Sequence, residues 1–205
     1  MEVSDSKRSA PATVRNREPI FEVLSRCLPA GGGVLLEVAS GTGEHAVHLA
    51  PRLAGWTWQP TDVGDDALAS IAAWREALGV HACVSAPLRL DASAWPWPVS
   101  RADALLCTNM IHISPWTATL GLMRGAGAVL PVGGRLFTYG PYRVDGEHTA
   151  PSNLAFDESL RARDAAWGVR DIAEVAAAAE SEGLALREQV AMPANNFTLV
   201  FERTR

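Results

Sequence analysis

The chain has 205 residues, 48% of them hydrophobic and 20% charged, with a formal net charge of −5 at neutral pH. That is enough apolar material for one full core, while the acidic balance, with no Lys/Arg run beyond Lys7-Arg8, argues against a nucleic-acid partner, which needs clustered cations. No stretch has the apolar length of a signal core or a membrane span, and the odd, widely spaced Cys27, Cys83 and Cys107 suit reduced thiols, so a cytoplasmic protein without a membrane partner is expected.

Residues 1–15 are polar and expected to be flexible, ahead of a single domain over 16–205. Glu18 to Cys27 reads as a helix, broken by the Pro-Ala-Gly-Gly-Gly run at 29–33. Apolar strands are expected near 34–39, 56–60, 82–86 and 102–107, alternating with helices near 43–53, 65–78 and 115–130. A fifth strand, Gly134 to Tyr139, follows the Pro131-Val-Gly-Gly turn, and a long polar insertion occupies 140–169. A helix from Asp171 ends at Gly183, and strands at 184–191 and 197–202, joined by a short loop, must pair antiparallel. The alternation defines an α/β doubly wound, Rossmann-like fold with a seven-stranded, mostly parallel sheet and an antiparallel C-terminal hairpin.

Chemistry concentrates where the first strand runs into Ser40-Gly-Thr-Gly43. Glycines there allow a sharp turn and close backbone approach, with free N–H groups of the next helix facing a ligand. The spacing Gly41-x-Gly43-x-x-Ala46 alone also suits a dinucleotide. Glu37, four residues before Gly41, decides between them: a carboxylate would repel a pyrophosphate and attract an ammonium and a sulfonium. Asp62, 21 residues past Gly41 at the end of the second strand, suits a ribose diol. Asp91 stands where the third strand would meet an adenine. Three acids in phase with a Gly-x-Gly turn point to S-adenosylmethionine, with Glu37, Ser40, Gly41, Gly43, His45, Asp62, Asp91 and Asn109 as the binding set. No His/Cys spacing suggests a metal, since His45 and His48 match no zinc motif.

Several runs carry a more specific likeness: Arg15-Asn-Arg-Glu-Pro-Ile20, Glu37 to Ala46, Asn109-Met-Ile-His-Ile-Ser-Pro-Trp116, Tyr139-Gly-Pro-Tyr-Arg143, His148-Thr-Ala-Pro-Ser-Asn153 and Met192-Pro-Ala-Asn-Asn196. From Arg15 onward the chain resembles a family of methyltransferase-like proteins from bacteria and animals, classed as a domain of unknown function. The resemblance implies the class I methyltransferase fold and its cofactor, and no particular acceptor. Ala39 departs from the glycine that many class I methyltransferases carry there.

In open α/β sheets ligands bind beyond the carboxyl ends of the strands. That edge gathers Asn109 and His112 after strand four, Tyr139, Tyr142 and Arg143 after strand five, and Asn195 and Asn196 after strand six. His112, titrating near neutrality, is the expected general base, with Asn109 orienting the acceptor or cofactor. Trp116, Tyr139 and Tyr142 would line the pocket, Arg143 could grip a carboxylate, and His148 and Asn153 come from the insertion, which reads as a lid. The expected activity is methyl transfer to an O, N or S nucleophile of a small molecule. Alternatives are attack on another carbon of the sulfonium, such as cyclisation of the aminoalkyl arm with release of methylthioadenosine, and a silent binding module.

Overall fold

The computed structural model describes residues 6–205, so the first five residues of the expected flexible segment lie outside it. Alternation along one strand sets up both faces of the sheet. In β1 (Gly33–Val38), Leu35 joins one buried layer and Leu36 and Val38 the other. Beside β1 lie β2 (Trp56–Asp62) and β4 (Ala104–Thr108), both parallel to it. The two-residue β3 (Leu88–Arg89) extends β2, and β5 (Arg135–Gly140) extends β4. Between β5 and the C-terminal pair, β6 (Arg143–Val144) and β7 (Glu147–His148) form a separate small hairpin. The strands β8 (Leu184–Met192) and β9 (Asn196–Arg203) complete a seven-stranded sheet of order β3-β2-β1-β4-β5-β9-β8, with β9 antiparallel to both neighbours.

Helices cover both faces. On one side, α1 (Pro11–Cys27) and α2 (Glu44–Leu49) bury Ile20, Leu24, Ala46 and Leu49 against Leu35, Trp58, Leu106 and Phe137. On the other, α4 (Trp116–Val129) and α6 (Ile172–Ser181) bury Leu122, Met123 and Val175 against Leu36, Leu105 and Leu136. The remaining helices are α3 (Asp65–Leu78), after β2, and α5 (Pro151–Arg163), in the insertion. No helix among the described residues is long and apolar enough to cross a membrane.

Three elements differ from the sequence reading. The third strand is not at 82–86: Val84 makes one bridge to Trp58, Pro87 then interrupts, and pairing resumes only at Leu88 and Arg89. A proline offers no N–H to a ladder, which explains the break. The first helix begins at Pro11 rather than Glu18, and the segment before it is tied down rather than loose. Its Ala10 N–H donates to Glu44 Oε2 at 2.7 Å, its Arg8 N–H to Ser70 Oγ at 2.9 Å, and Trp74 Nε1 donates to Arg8 O at 2.8 Å. Pro19 lies within α1, whose buried stripe (Thr13, Asn16, Ile20, Val23, Leu24, Cys27) keeps helical spacing straight through it. Finally, the 140–169 insertion is a folded unit of hairpin and helix, held by Asp157, which accepts from Val169 N–H at 2.6 Å and Arg161 Nε at 3.0 Å.

The backbone turns sharply as it leaves β1. Ala39 has φ 59°, in the left-handed region that favours glycine. Strain of about 1–2 kcal/mol there is partly offset by the smaller unfolded-state entropy of alanine. Ala39→Gly should therefore leave stability unchanged or raise it by up to about 1 kcal/mol, against the usual loss for Ala-to-Gly changes. Chemical denaturation would read the difference; a loss above 1 kcal/mol would show that the Ala39 methyl is held by packing that outweighs the strain.

Candidate active site

The turn after β1 is clamped by one carboxylate. Asp62, at the end of β2, accepts from Gly41 N–H through Oδ2 at 2.9 Å and from Gly64 N–H through Oδ1 at 3.0 Å. Ser40 adds a stitch, its Oγ accepting from Thr61 N–H at 3.1 Å while Ser40 N–H donates to Thr61 O at 2.8 Å. The two glycines have separate duties. Gly41 (φ 58°) is exposed, and a Cβ there would meet no atom within 4 Å, so its face is open to a ligand. Gly43 (φ 87°) would place a Cβ 2.8 Å from Ile71 Cα; its bareness lets α3 pack against the turn.

This arrangement fits an adenosyl ligand. Each Asp62 oxygen retains a lone pair for a ribose hydroxyl after its backbone bond, and Asp62 is only partly covered. Asp91 is exposed; its Oδ1 caps a turn by accepting from Ser93 N–H at 2.8 Å and Ser93 Oγ at 2.7 Å, which leaves its other oxygen for an adenine amine.

The other expected cofactor ligands from this region lie beneath the turn instead of in the cleft. Strand alternation carries Glu37 into the layer under α2, where it is fully buried. Its Oε2 accepts from Trp58 Nε1 at 2.9 Å, while Oε1 has no hydrogen-bond partner and lies 3.8 Å from His45 Nδ1. Burial pushes the Glu37 carboxyl up to about 7, opposed chiefly by its bond from Trp58 Nε1. Burial, helped by the nearby His48 and Arg17, holds His45 down at about 4, so it is neutral and forms no ion pair at neutral pH. His45 Nε2 instead meets Asn16 Oδ1 at 2.9 Å, fastening α1 to α2. The side chain of Ser40 is likewise buried and committed to the turn.

Beside the turn, a cavity of about 630 Å³ opens at the carboxyl edge of the sheet. Its floor holds Asn109 and Tyr139, α1 contributes Arg15 and Asn16, α5 contributes Asn153 and Phe156, and Asn196 comes from the start of β9. Asn109 has φ 60°, which Asn tolerates better than most residues, and its N–H donates to Tyr139 O at 2.7 Å. The Tyr139 hydroxyl accepts from Asn196 Nδ2 at 3.0 Å; burial raises its pKa against the hydrogen bonds of Asn16 and Asn196. Asn153 Nδ2 donates to Thr149 Oγ1 at 3.0 Å and to Asn195 O at 2.9 Å, pinning α5 to the β8–β9 turn.

Of the expected substrate-side residues, Asn109, Tyr139, Asn153 and Asn196 reach the cavity, and the rest are employed elsewhere. His112 is wholly buried: Arg170 N–H donates to its Nδ1 at 3.2 Å, its ring stacks edge-on to Tyr142 at 4.8 Å, and burial holds it at about 3. A histidine so placed is neutral and out of contact with the cavity, so the general-base expectation fails on geometry. Tyr142 is also fully buried, donating to Thr138 Oγ1 at 2.7 Å. Arg143 pairs with Glu174 of α6 at 3.6 Å, and His148 lies 3.6 Å from Asp157 within the insertion. Trp116 packs against the core under the Arg170 guanidinium, and Asn195 contributes a carbonyl to Asn153 rather than its side chain to the pocket. Among the described residues no cluster of three His, Cys, Asp or Glu could hold a metal. The buried Cys107 thiol is pushed up to about 12 and is inert.

Sequence reasoning missed Arg15, Asn16 and Phe156. The Arg15-Asn16 pair was visible as part of a shared run, but assigning residues 1–15 to a flexible segment set Arg15 aside, and Asn16 was given no role.

The sheet order and the ligand-open turn define the fold of the class I methyltransferases. The chain belongs to the family described as "Protein of unknown function (DUF938)", whose model matches residues 7–203. Solved structures of the same fold include an O-methyltransferase family 2 protein from Planctomyces limnophilus DSM 3776 in complex with apigenin (TM-score 0.77, 21% identity, covering 94% of this chain and 60% of that one). A putative O-methyltransferase from Nostoc punctiforme PCC 73102 gives a TM-score of 0.81 at 16% identity, covering 98% and 59%. Human N-acetylserotonin methyltransferase, in complex with SAM, gives 0.76 at 12% identity, covering 95% and 53%. The chain thus spans 60% or less of the length of these structures.

Two outcomes follow from the buried groups. A carboxyl raised in the folded state contributes stability that is fully present below about 4.5 and lost as pH rises through about 7. Glu37→Gln keeps an acceptor for Trp58 and removes this titration. Its stability relative to wild type should therefore climb by on the order of 2–3 kcal/mol between pH 5 and 8, read as melting curves across that range; a pH-independent gap would show that Glu37 does not titrate there. For His112→Ala, the lost ring and the orphaned Arg170 N–H should cost about 2–4 kcal/mol of stability. A variant that keeps its melting temperature while losing turnover a hundredfold would restore His112 as a catalytic base.

Proposed function

We propose that the protein is an S-adenosylmethionine-dependent methyltransferase acting on an O, N or S nucleophile of a small molecule held in the cavity. The observation that supports this reading is that the open Gly41, held by Asp62, follows β1 while Asn109, which lines the cavity, follows the adjacent parallel strand β4. Asp62 would hold the ribose, Asp91 the adenine, and the sulfonium's methyl would be presented near Asn109. The bound cofactor would supply an activated methyl group, and the chain's contribution is alignment. Among the described residues no His, Asp or Glu lines the cavity, and burial raises rather than lowers the Tyr139 hydroxyl. Catalysis by positioning, worth about 7–11 kcal/mol where geometry is ideal, needs no such group. The acceptor must then be a nucleophile at neutral pH without help from a base. The apigenin bound by the Planctomyces protein and the SAM bound by the human enzyme support a site for small molecules on this fold.

Thermal-shift and calorimetric titrations with S-adenosylmethionine, S-adenosylhomocysteine and NAD test the cofactor. Both adenosyl compounds should raise the melting temperature, as ligands selective for the folded state must, and NAD should not. A screen of small phenols, amines and thiols, with chromatography of the nucleoside product, tests the reaction. S-adenosylhomocysteine is the expected product; methylthioadenosine would move the chemistry to another carbon of the sulfonium.

A further inference from the structure

The cavity has one charged lining residue among those described, Arg15, and its position selects a ligand group. Arg15 is on the exposed side of α1, one residue before Asn16, whose side chain is fixed to His45 in the first turn of α2 at 2.9 Å. That bond ties this part of α1 to the start of α2, directly after the Gly41–Gly43 turn, and Arg15 and Asn16 both line the cavity. Its own helix is held there by the bond from Ala10 N–H to Glu44 at 2.7 Å. Among the described residues Arg15 has no salt-bridge partner, whereas nearby Arg8 pairs with Asp66 and Arg89 with Asp65. Arg17, two positions on, is partly buried and acts on His45 and His48, on the far side of α1 from the cavity.

Resting on the cofactor assignment above, we propose that Arg15 binds the α-carboxylate of the cofactor's methionyl arm. With the ribose held at Asp62 and the sulfonium directed toward Asn109, the amino-acid end of the ligand must pass over the Gly41–Gly43 turn. Among the described residues the only cation lining the cavity is Arg15, whose planar guanidinium matches a carboxylate through two parallel hydrogen bonds. Glu37, fully buried, is on the other side of the turn and does not compete for the guanidinium.

The test compares S-adenosylmethionine with its decarboxylated form, which keeps the ammonium and sulfonium and lacks only the carboxylate. Calorimetry on wild type and Arg15→Gln should show wild type preferring the intact cofactor by roughly ten- to a hundredfold, the range for hydrogen bonds between charged groups. In Arg15→Gln that preference should vanish through weaker binding of the intact compound alone, with affinity for the decarboxylated compound unchanged. Arg15→Lys should keep part of the preference. Equal weakening of both compounds, or no change in either, overturns the proposal, as does a variant that binds the intact cofactor normally and loses only turnover, which would assign Arg15 to the acceptor. If wild type binds neither compound, the cofactor assignment fails as well, so the two failures are distinguishable.

Discussion

Everything at the carboxyl edge of this sheet depends on how one carboxylate holds a turn that would otherwise be loose. Two glycines and a left-handed alanine in five residues make a backbone with little conformational preference of its own. Asp62 converts it into a fixed surface by accepting from Gly41 on one side and Gly64 on the other, so that the exit of β1 and the start of α3 share one anchor. The anchor is not spent by this work, because each oxygen has a second lone pair facing outward. A residue that builds the turn thus keeps acceptor capacity of its own.

Much of the fold is legible in the sequence because the buried strands are continuous apolar runs closed by glycine and proline. The third strand is the exception. Residues 82–86 have strand composition, yet Pro87 prevents a ladder and only the next two residues pair. Composition cannot say where a short edge finds its partner. The burial of several candidate side chains was not legible, for one reason above all. Positions near a strand's end look accessible in one dimension, while a period of two decides which side chains point along the edge and which point into a layer. Glu37 fell on the wrong side of that rule, whereas Ser40, past the end of β1, is taken up by its bonds with Thr61. His112 was lost to tertiary structure: the chain folds back after Asn109, and the return of residues 168–170 covers the imidazole.

The buried polar groups fall into two kinds. Asn16, Asn153 and Asp157 fasten elements that are distant in sequence: α1 to α2, α5 to the β8–β9 turn, and α5 to the segment at Val169. Each is satisfied, so the desolvation they suffer is offset. Glu37 is different. One of its oxygens has no partner in a layer of Trp58, Leu35 and Ala46, and the neutral His45 beside it offers no charge. Trp97 Nε1, His112 Nε2, Thr119 Oγ1 and Thr198 Oγ1 share that condition, and each such atom marks a place where local structure gives up stability.

The cavity wall joins Ala12 and Arg15 of the first helix to Pro193 and Asn196 of the final hairpin, across nearly the whole described sequence. Closing so long a loop is thermodynamically cheap, since each doubling of length adds only about 0.6 kcal/mol. It is kinetically late, because such a contact can form only when the intervening sheet exists to bring both segments together. The sheet therefore matures before the pocket does, and a chain with all its strands paired has still to acquire its cavity.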